Sequence, residues 1–560
     1  MVKMMKWLVP LAVLIALLAF WQQHVQLPAA EPVAIEQKTG SRLLLVPLDT
    51  RPPCQKMVVD AGKMAGIDVA VPPGEMMDYY TRPGDTKAQR QWLLDNIKDS
   101  SGAIISVDQL LHGGLLASRE AGTKADESEQ LIAFLRQLKA EAPDKPLYVF
   151  SVLPRITPPP TLESSSRKMI KLSRLADEIS IFGNAADVKE FDEVMADDDV
   201  KRADWETYLD LFRRNTRLNK ELIKLADEGI IEKLVIGQDD GEDFGVPNTE
   251  KRALLNFCHS GGIGADKVMI TKGADEVALS LLALHAVKEK SSSRPRICVE
   301  YNDSAAPRTV MPFMAGSVGS TVREKLLLAG AQQVYSPDEA DIILYVFIGD
   351  DDNLQTRRSS AAKIKTYLQQ GKQVALVDLS RHFAGAECVL PQLLQQDAPL
   401  NALTAYAGWN TASNSIGTAL ADALIYHASL PYAASKADRA ALEYGRMSIL
   451  YSRILEDYYY LKDVIDGVNA TLISHGYANV NDLDMEHNYL WMNDLLQQAM
   501  ERRADELWHS RAAQLPYVAE TPEGTLRLVP RYLHAETFFP WPRTFEVYMQ
   551  ARFNLYNIKN

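Results

Sequence analysis

Features that mark several common classes of site are missing from this sequence of 560 residues. The four cysteines lie far apart and form no CxxC pair, which argues against a zinc ribbon or a redox dithiol and predicts no structural disulfide network. No P-loop motif occurs, and no GxGxxG follows the predicted strand at 297–301, so neither kind of nucleotide site is expected. HxH and HExxH, which mark many zinc hydrolases, do not occur either.

An excess of basic residues is also missing. The net charge is -13 and the isoelectric point is about 5.4, which argues against a nucleic-acid-binding protein. There is no repeat of fixed period and no low-complexity tract. The apolar fraction of 47% is ordinary for a globular protein, and the length suits two or three domains.

A long apolar run occurs near the N-terminus, at residues 7–21. Lys3 and Lys6 precede this run and polar residues follow it, which is the layout of a secretory signal. The run is short for a membrane span, which needs about 20 apolar residues. We therefore predict that residues 1–30 are a signal peptide or an uncleaved signal anchor. The rest of the chain is expected in the periplasm or on the outer face of the cytoplasmic membrane, where 7–21 would form a membrane tether.

Apolar strand patterns alternate with helical patterns over most of the remaining chain, which predicts the α/β class. Residues 41–290 are predicted to form a first α/β domain with a parallel-sheet or barrel-like arrangement. A Ser-rich linker at 291–295 separates it from a second, Rossmann-like α/β domain at 296–430. Residues 431–560 are predicted to form a mostly helical C-terminal region.

Polar and charged residues recur where the predicted strands end, the edge at which α/β proteins place their sites. Asp49 and Arg51 follow the first strand and are stiffened by two prolines. Asp108 and His112 follow the third strand, and Arg155 follows the fourth. These side chains are candidates for binding an anionic or polyhydroxylated ligand. The alternative is that they form local ion pairs that shape the turns.

The most acidic of these strand ends is the stretch Gln238–Asp243, which contains four carboxylates. Neighbouring carboxylates repel one another and cost desolvation when buried, so a fold tolerates them where a cation, a sugar or proton chemistry requires them. Asp239 and Asp240 are the candidate catalytic pair, and Glu242 and Asp243 are candidate binding residues. A solvated acidic loop is the alternative interpretation.

Other strand ends and turns complete the predicted substrate-binding set with Asn248, Lys272, Asp275, Asn302 and Asn410. In the turn at 408–418, the start of a predicted helix has amides that suit an oxyanion, although capping by Asn414 or Ser415 explains the same pattern. Trp541, in an aromatic segment near the C-terminus, is interpreted as packing against a domain, with stacking on a sugar as the alternative.

Five motifs resemble one bacterial family, known as domain of unknown function 4127. They are Leu45–Pro53, Asp108–Gly114, Gly237–Gly241, Tyr301–Ser304 and Ala407–Thr411, and they extend over most of the chain. The resemblance brings no established activity with it, so the chemistry must be argued from the residues.

The first functional hypothesis is a glycoside hydrolase that acts on amino-sugar glycans of the cell envelope. Asp239–Asp240 looks like the acidic pair of hexosaminidases that use substrate assistance, in which one carboxylate orients the acetamido group and its neighbour is the general acid. Asp240 is predicted to be the acid and Asp239 the orienting group, although the order could be reversed. No cofactor is expected, and the ligand is a carbohydrate or another small polar molecule.

Two other hypotheses remain open at this point. A metal-dependent hydrolase would use Asp49, Asp108, His112, Asp239 and Asp240 to bind a divalent cation, but the nearby arginines would compete with that cation. A non-enzymatic envelope protein would close its two α/β domains on a solute or glycan.

Overall fold

The computed structural model describes residues 30–36, 38–120, 125–350, 353–409, 411–478 and 483–559. Of the predicted signal segment only Ala30 belongs to these residues, and Asn410 lies outside them. Within the described ranges, no helix has the length and apolar character needed to cross a membrane.

The first α/β domain contains an open, parallel sheet, which confirms the parallel-sheet alternative. A short strand, β1 (Ala30–Pro32), precedes it and pairs elsewhere. The six strands of the sheet lie in the order β3-β2-β4-β5-β6-β7. They are β2 (Arg42–Val46), β3 (Asp68–Ala70), β4 (Ala103–Ser106), β5 (Leu147–Leu153), β6 (Lys233–Gln238) and β7 (Val268–Lys272).

Helices cover both faces of this sheet, which explains why its central strands are almost wholly apolar. Leu43 and Leu45 face one core, and Leu44 and Val46 face the other, because alternate residues of a strand point to opposite sides. The helices are α1 (Lys56–Met64), α2 (Thr86–Asn96), α3 (Val107–His112), α4 (Leu115–Ser118), α5 (Ala125–Glu141), α6 (Ser166–Phe182), α7 (Ala185–Met195), α8 (Arg202–Asp227), α9 (Val246–Ser260) and α10 (Val277–Lys290).

The second α/β domain has five parallel strands in the order β12-β11-β10-β8-β9. The strands are β8 (Arg296–Tyr301), β9 (Gln332–Val334), β10 (Ile342–Gly349), β11 (Gln373–Ser380) and β12 (Ala405–Ala407). Its helices are α11 (Val318–Leu328), α12 (Leu354–Gln369), α13 (Leu390–Gln395) and α14 (Ala412–Ser429). In both sheets the second strand along the chain lies at the edge of the sheet, next to the first strand. The later strands lie on the other side of the first strand, so the strand order reverses there. In the first domain the reversal lies between β2 and β4, and such switch points are preferred ligand sites.

The C-terminal region is helical, as predicted, and it also contains an antiparallel sheet that the sequence reading missed. Its helices are α15 (Lys436–Arg453), a π-helical segment (Ile454–Val464), α16 (Ile465–Ser474), α17 (Tyr489–His509) and α18 (Arg511–Gln514). The strands β13 (Tyr517–Ala519), β14 (Leu526–Phe538) and β15 (Tyr548–Ile558) join β1 in the order β1-β15-β14-β13. The segment between β14 and β15 reaches back to the first α/β domain.

Candidate functional site

A polar cavity of about 130 Å³ lies at the carboxyl end of the first sheet. Both α/β domains and the C-terminal region contribute to its lining. Four arginines and four aspartates line it, so its formal charges balance: Arg51, Arg119, Arg155, Arg543, Asp49, Asp239, Asp240 and Asp275. Six of the predicted site residues are in this group.

Arg51 is the centre of a buried ion-pair network. Its Nη2 lies 2.7 Å from Asp49 Oδ2 and 2.7 Å from Asp275 Oδ1, and its Nε also donates to Asp49 at 3.0 Å. Asp49 follows β2 and Asp275 follows β7. Burial raises the pKa of Asp275, an effect that Arg51 opposes. Asp49 and Arg51 therefore form the local ion pair that was the alternative interpretation of the sequence, but both residues also line the cavity.

The segment between β14 and β15 closes this side of the cavity. The guanidinium carbon of Arg51 lies 5.5 Å from the ring centroid of Trp541, which suits a cation–π contact. Trp541 is 2% exposed, and its Nε1 donates a hydrogen bond to Thr50 Oγ1 at 3.0 Å. Glu546 lies 3.6 Å from Arg51 and is ion-paired with Arg543. Trp541 thus packs against the first domain and also lines the cavity.

The candidate catalytic pair is held by two arginines. Asp239 is ion-paired with Arg119, and Asp240 Oδ2 lies 3.1 Å from Arg155 Nη1. Burial, together with the neighbouring charge of Asp239, raises the pKa of Asp240. The backbone of Asp240 has φ +36°, a conformation that costs energy in a residue with a side chain and that clusters at functional sites.

The second α/β domain supplies the start of α14 to the cavity. Thr411, Ser413 and Asn414 line the cavity there, across from Gly273 at the end of β7. A Cβ on Gly273 would lie 2.7 Å from Asn414 Oδ1 and 3.1 Å from Ser413 Oγ. Glycine at this position, with φ +83°, therefore permits the close approach of the two domains.

A family model described as a protein of unknown function, DUF4127, matches residues 43–550. The chain belongs to the DUF4127 family. The match includes every cavity-lining residue from Asp49 to Phe545. No curated protein matches the chain, and no solved structure matches it.

The positions of Asp108 and His112 differ most clearly from the predicted site, because neither residue lines the cavity that contains Asp239. They belong to α3 rather than to a loop beyond the strand, and they line another cavity, of about 670 Å³. Asp108 Oδ2 accepts a hydrogen bond from the Val152 amide at 2.9 Å, and burial raises its pKa to about 7. Burial lowers the pKa of His112 to about 4. The DUF4127 motif around these residues therefore does not contribute to the cavity that contains Asp239.

The other predicted binding residues occupy structural positions around the site. Asn248 accepts from Gln238 Nε2 and donates to the carbonyls of Glu242 and Asp243, so it fixes the acidic loop. Glu242 is ion-paired with Arg174, and Glu242 and Asp243 line a separate shallow groove.

Lys272 and Asn302 also lie away from the cavity lining. Lys272 is ion-paired with Glu324 of α11 and so helps to join the two α/β domains. Asn302 accepts a hydrogen bond from the Ile348 amide and donates one to the Ile348 carbonyl, which links β8 to β10.

The side chains proposed for a divalent cation are not gathered at one point. In the described ranges, a group of three potential ligands with atoms within 4.8 Å of one another occurs in the second domain, at Asp350, His382 and Glu387. His382 Nδ1 lies 2.5 Å from Glu387 Oε1, and Asp350 Oδ2 lies 3.3 Å from Arg381 Nη1. These contacts, between His382 and Glu387 and between Asp350 and Arg381, hold the three side chains in place.

Several residues of the cavity were not predicted from the sequence. Arg119 follows α4 with no recognisable pattern around it, and Phe313, Arg543 and Phe545 come from distant segments. For the cavity residues of the second domain, the sequence signal was the turn at 408–418, where the start of a predicted helix suits an oxyanion. Thr411, Ser413 and Asn414 belong to that turn.

Proposed function

We propose that this protein is a hydrolase, and specifically a glycoside hydrolase for amino-sugar glycans, with its active site in the cavity that Asp239 and Asp240 line. The observation that carries the proposal is the pairing of two adjacent carboxylates with different environments at one strand end. Asp239 is ion-paired with Arg119 and Asp240 with Arg155, and burial together with the charge of Asp239 raises the pKa of Asp240. Enzymes assign acid and base roles to neighbouring carboxyl groups by giving each group a different environment, which moves their pKa values apart.

In this proposal Asp240 holds a proton and donates it to the leaving-group oxygen. Asp239, which is ion-paired with Arg119, orients the acetamido group, and that group attacks the anomeric carbon in substrate-assisted hydrolysis. Arg155 contacts Asp240 and would stabilise its carboxylate once the proton has left.

The cavity suits one sugar ring or a group of similar size. Its volume, about 130 Å³, is smaller than the roughly 300–1,000 Å³ of sites for drug-sized ligands. Trp541, Phe313 and Phe545 provide aromatic surface among the charged groups, an arrangement that favours the apolar face of a sugar. The proposed location is the periplasm or the outer face of the cytoplasmic membrane, which is supported by the basic, apolar and polar order of residues 1–30.

The test is turnover of aryl N-acetylhexosaminides and peptidoglycan fragments by the full chain. Asp239→Asn and Asp240→Asn are each expected to lower kcat at least roughly 100-fold while the fold is retained. Asp198→Asn is the control, because Asp198 is exposed and lies outside the cavity lining.

Two results would count against the proposal. Cleavage that survives both substitutions would remove the pair from the mechanism. Binding of glycans without any turnover would favour the second candidate, a solute-binding protein, for which the lining of one cavity by both α/β domains is the supporting observation.

A further inference from the structure

The N-terminus of α14 lies at the cavity, which Thr411, Ser413 and Asn414 line. The amide of Ser415 is the first to bond back within the helix, to the Thr411 carbonyl at 3.0 Å. The side chain of the N-cap residue, Thr411, does not cap the amides of the first turn. An 18-residue helix carries a partial positive charge at this end, so its first turn favours a negatively charged partner.

Asn414 gives an independent indication that a ligand binds here. Its side chain lines the cavity and is 5% exposed, and its Oδ1 has no hydrogen-bond partner within the described structure. Buried polar atoms in native proteins nearly always have a partner, and exceptions call for an explanation. The two ends of an Asn amide are interchangeable by rotation, so Asn414 can offer either an acceptor or two N–H donors to a ligand.

The charges around this subsite permit an anion. Each of the four aspartates that line the cavity is ion-paired with an arginine or lies beside one. Glu276 approaches Gly273 from the same side as Asn414. Its Oε1 is paired with buried Lys325, whereas its Oε2 has no hydrogen-bond partner within the described residues. The nearby carboxylates are therefore largely compensated.

We propose that the first turn of α14 and Asn414 bind an anionic substituent, a carboxylate or a phosphate, of the ligand in the cavity. The ligand is then an acidic amino sugar that bridges the two α/β domains. Its reacting bond lies toward Asp239 and Asp240 of the first domain, and its acidic group lies toward the second. The identity of the sugar rests on the proposed function, whereas the anion subsite does not.

The proposal is tested by calorimetric binding to the full chain at pH 7. The probes are N-acetylmuramic acid, N-acetylglucosamine 6-phosphate and neutral N-acetylglucosamine. At least one acidic sugar is expected to bind tenfold or more tightly than the neutral one, and the two acidic probes distinguish a carboxylate from a phosphate. Equal affinity for all three sugars would overturn the proposal.

The matched variants are Asn414→Asp and Asn353→Asp. Both add one negative charge near the start of a helix, but Asn353 precedes α12 and is exposed outside the cavity lining. Asn414→Asp is expected to abolish the preference for the acidic sugar, whereas Asn353→Asp is expected to retain that preference. Retention of the preference in Asn414→Asp would overturn the proposal.

Two further readouts keep the test decisive. If Asn414→Asp does not fold, competition of inorganic phosphate with the acidic sugar on the wild-type chain replaces it, and no competition counts against the subsite. If selective binding occurs without turnover, the anion subsite stands and the hydrolase proposal fails. If turnover occurs with equal affinity for acidic and neutral sugars, the hydrolase proposal stands and the anion subsite fails.

Discussion

Arg51 and Asp275 are 224 positions apart in the chain, and their side chains meet at 2.7 Å. Arg51 follows β2 and Asp275 follows β7, and three strands lie between β2 and β7 in the sheet. With strands about 4.8 Å apart, the strands themselves are separated by roughly 19 Å. The loops beyond them therefore bend toward each other over the edge of the sheet, and this bend encloses the cavity.

Replacement of Arg51 by Met should destabilise the fold strongly. The substitution leaves Asp49 and Asp275 as buried carboxylates without their partner, and breaking such a pair costs about 3–5 kcal/mol. Denaturant unfolding measures the change. Arg42→Met is the control, because Arg42 forms an ion pair with Asp68 in which both side chains are substantially exposed, and such pairs contribute about 0–1 kcal/mol. Equal losses in the two variants would show that the Arg51 network does not stabilise the fold.

Gly273→Ala should separate the two α/β domains or strain their contact. The new Cβ would lie 2.8 Å from Glu276 Oε2 and 2.7 Å from Asn414 Oδ1, and the residue would keep a positive φ. The expected loss of stability is about 2–4 kcal/mol, from backbone strain and overpacking together. Gly371→Ala is the matched control, because Gly371 has φ +73° and open space where a Cβ would lie, so this variant should lose only about 1–2 kcal/mol. Thermal unfolding of both variants checks the difference, and similar melting temperatures would contradict it.

Asp78→Asn should stabilise the protein at neutral and alkaline pH. Burial raises the pKa of Asp78 to about 8, and its Oδ1 has no hydrogen-bond partner in the described structure. Because this pKa lies above its usual value near 4, the charged form is disfavoured in the folded state. The contribution of Asp78 to stability is therefore complete below pH 4 and is lost as the pH rises toward 8.

The measurement is the free energy of unfolding of wild type and Asp78→Asn between pH 5 and pH 8. The advantage of the variant should grow with pH by roughly 1 kcal/mol or more over this range. Asp198→Asn, at an exposed position, should show no such growth. A pH-independent difference between wild type and Asp78→Asn would refute the assignment.

The proposed reaction should show a bell-shaped dependence of kcat/KM on pH. The alkaline side reports loss of the proton from Asp240, whose pKa is raised by burial and by Asp239, so activity should fall as the pH rises through that value. In Asp240→Asn the alkaline side should disappear together with most of the rate. An unchanged profile in this variant would assign the acid to another group.

Much of the fold was readable from the sequence because buried parallel strands have a strong local signal. The run at 234–236 and its acidic end placed β6 and the Asp239–Asp240 pair correctly, and the same reasoning placed Asp49 and Asp275 at strand ends. The strands of the C-terminal sheet were missed because the helical pattern of α15 to α17 dominates that region. Alternation of buried and exposed residues over Leu526–Phe538 was the available signal for β14.

The sequence by itself determined the α/β class, the strand ends that carry charge and the family. Those features depend on residue periodicity and on short motifs, which are local in the chain. Only the tertiary structure decided which charged ends meet. Asp49, Asp239 and Asp275 share a cavity with Arg119, Asn414 and Trp541, whereas Asp108 and His112 lie elsewhere. Strand order, the bend of the loops and the docking of α14 set these contacts, and each depends on packing between residues that are far apart in the chain.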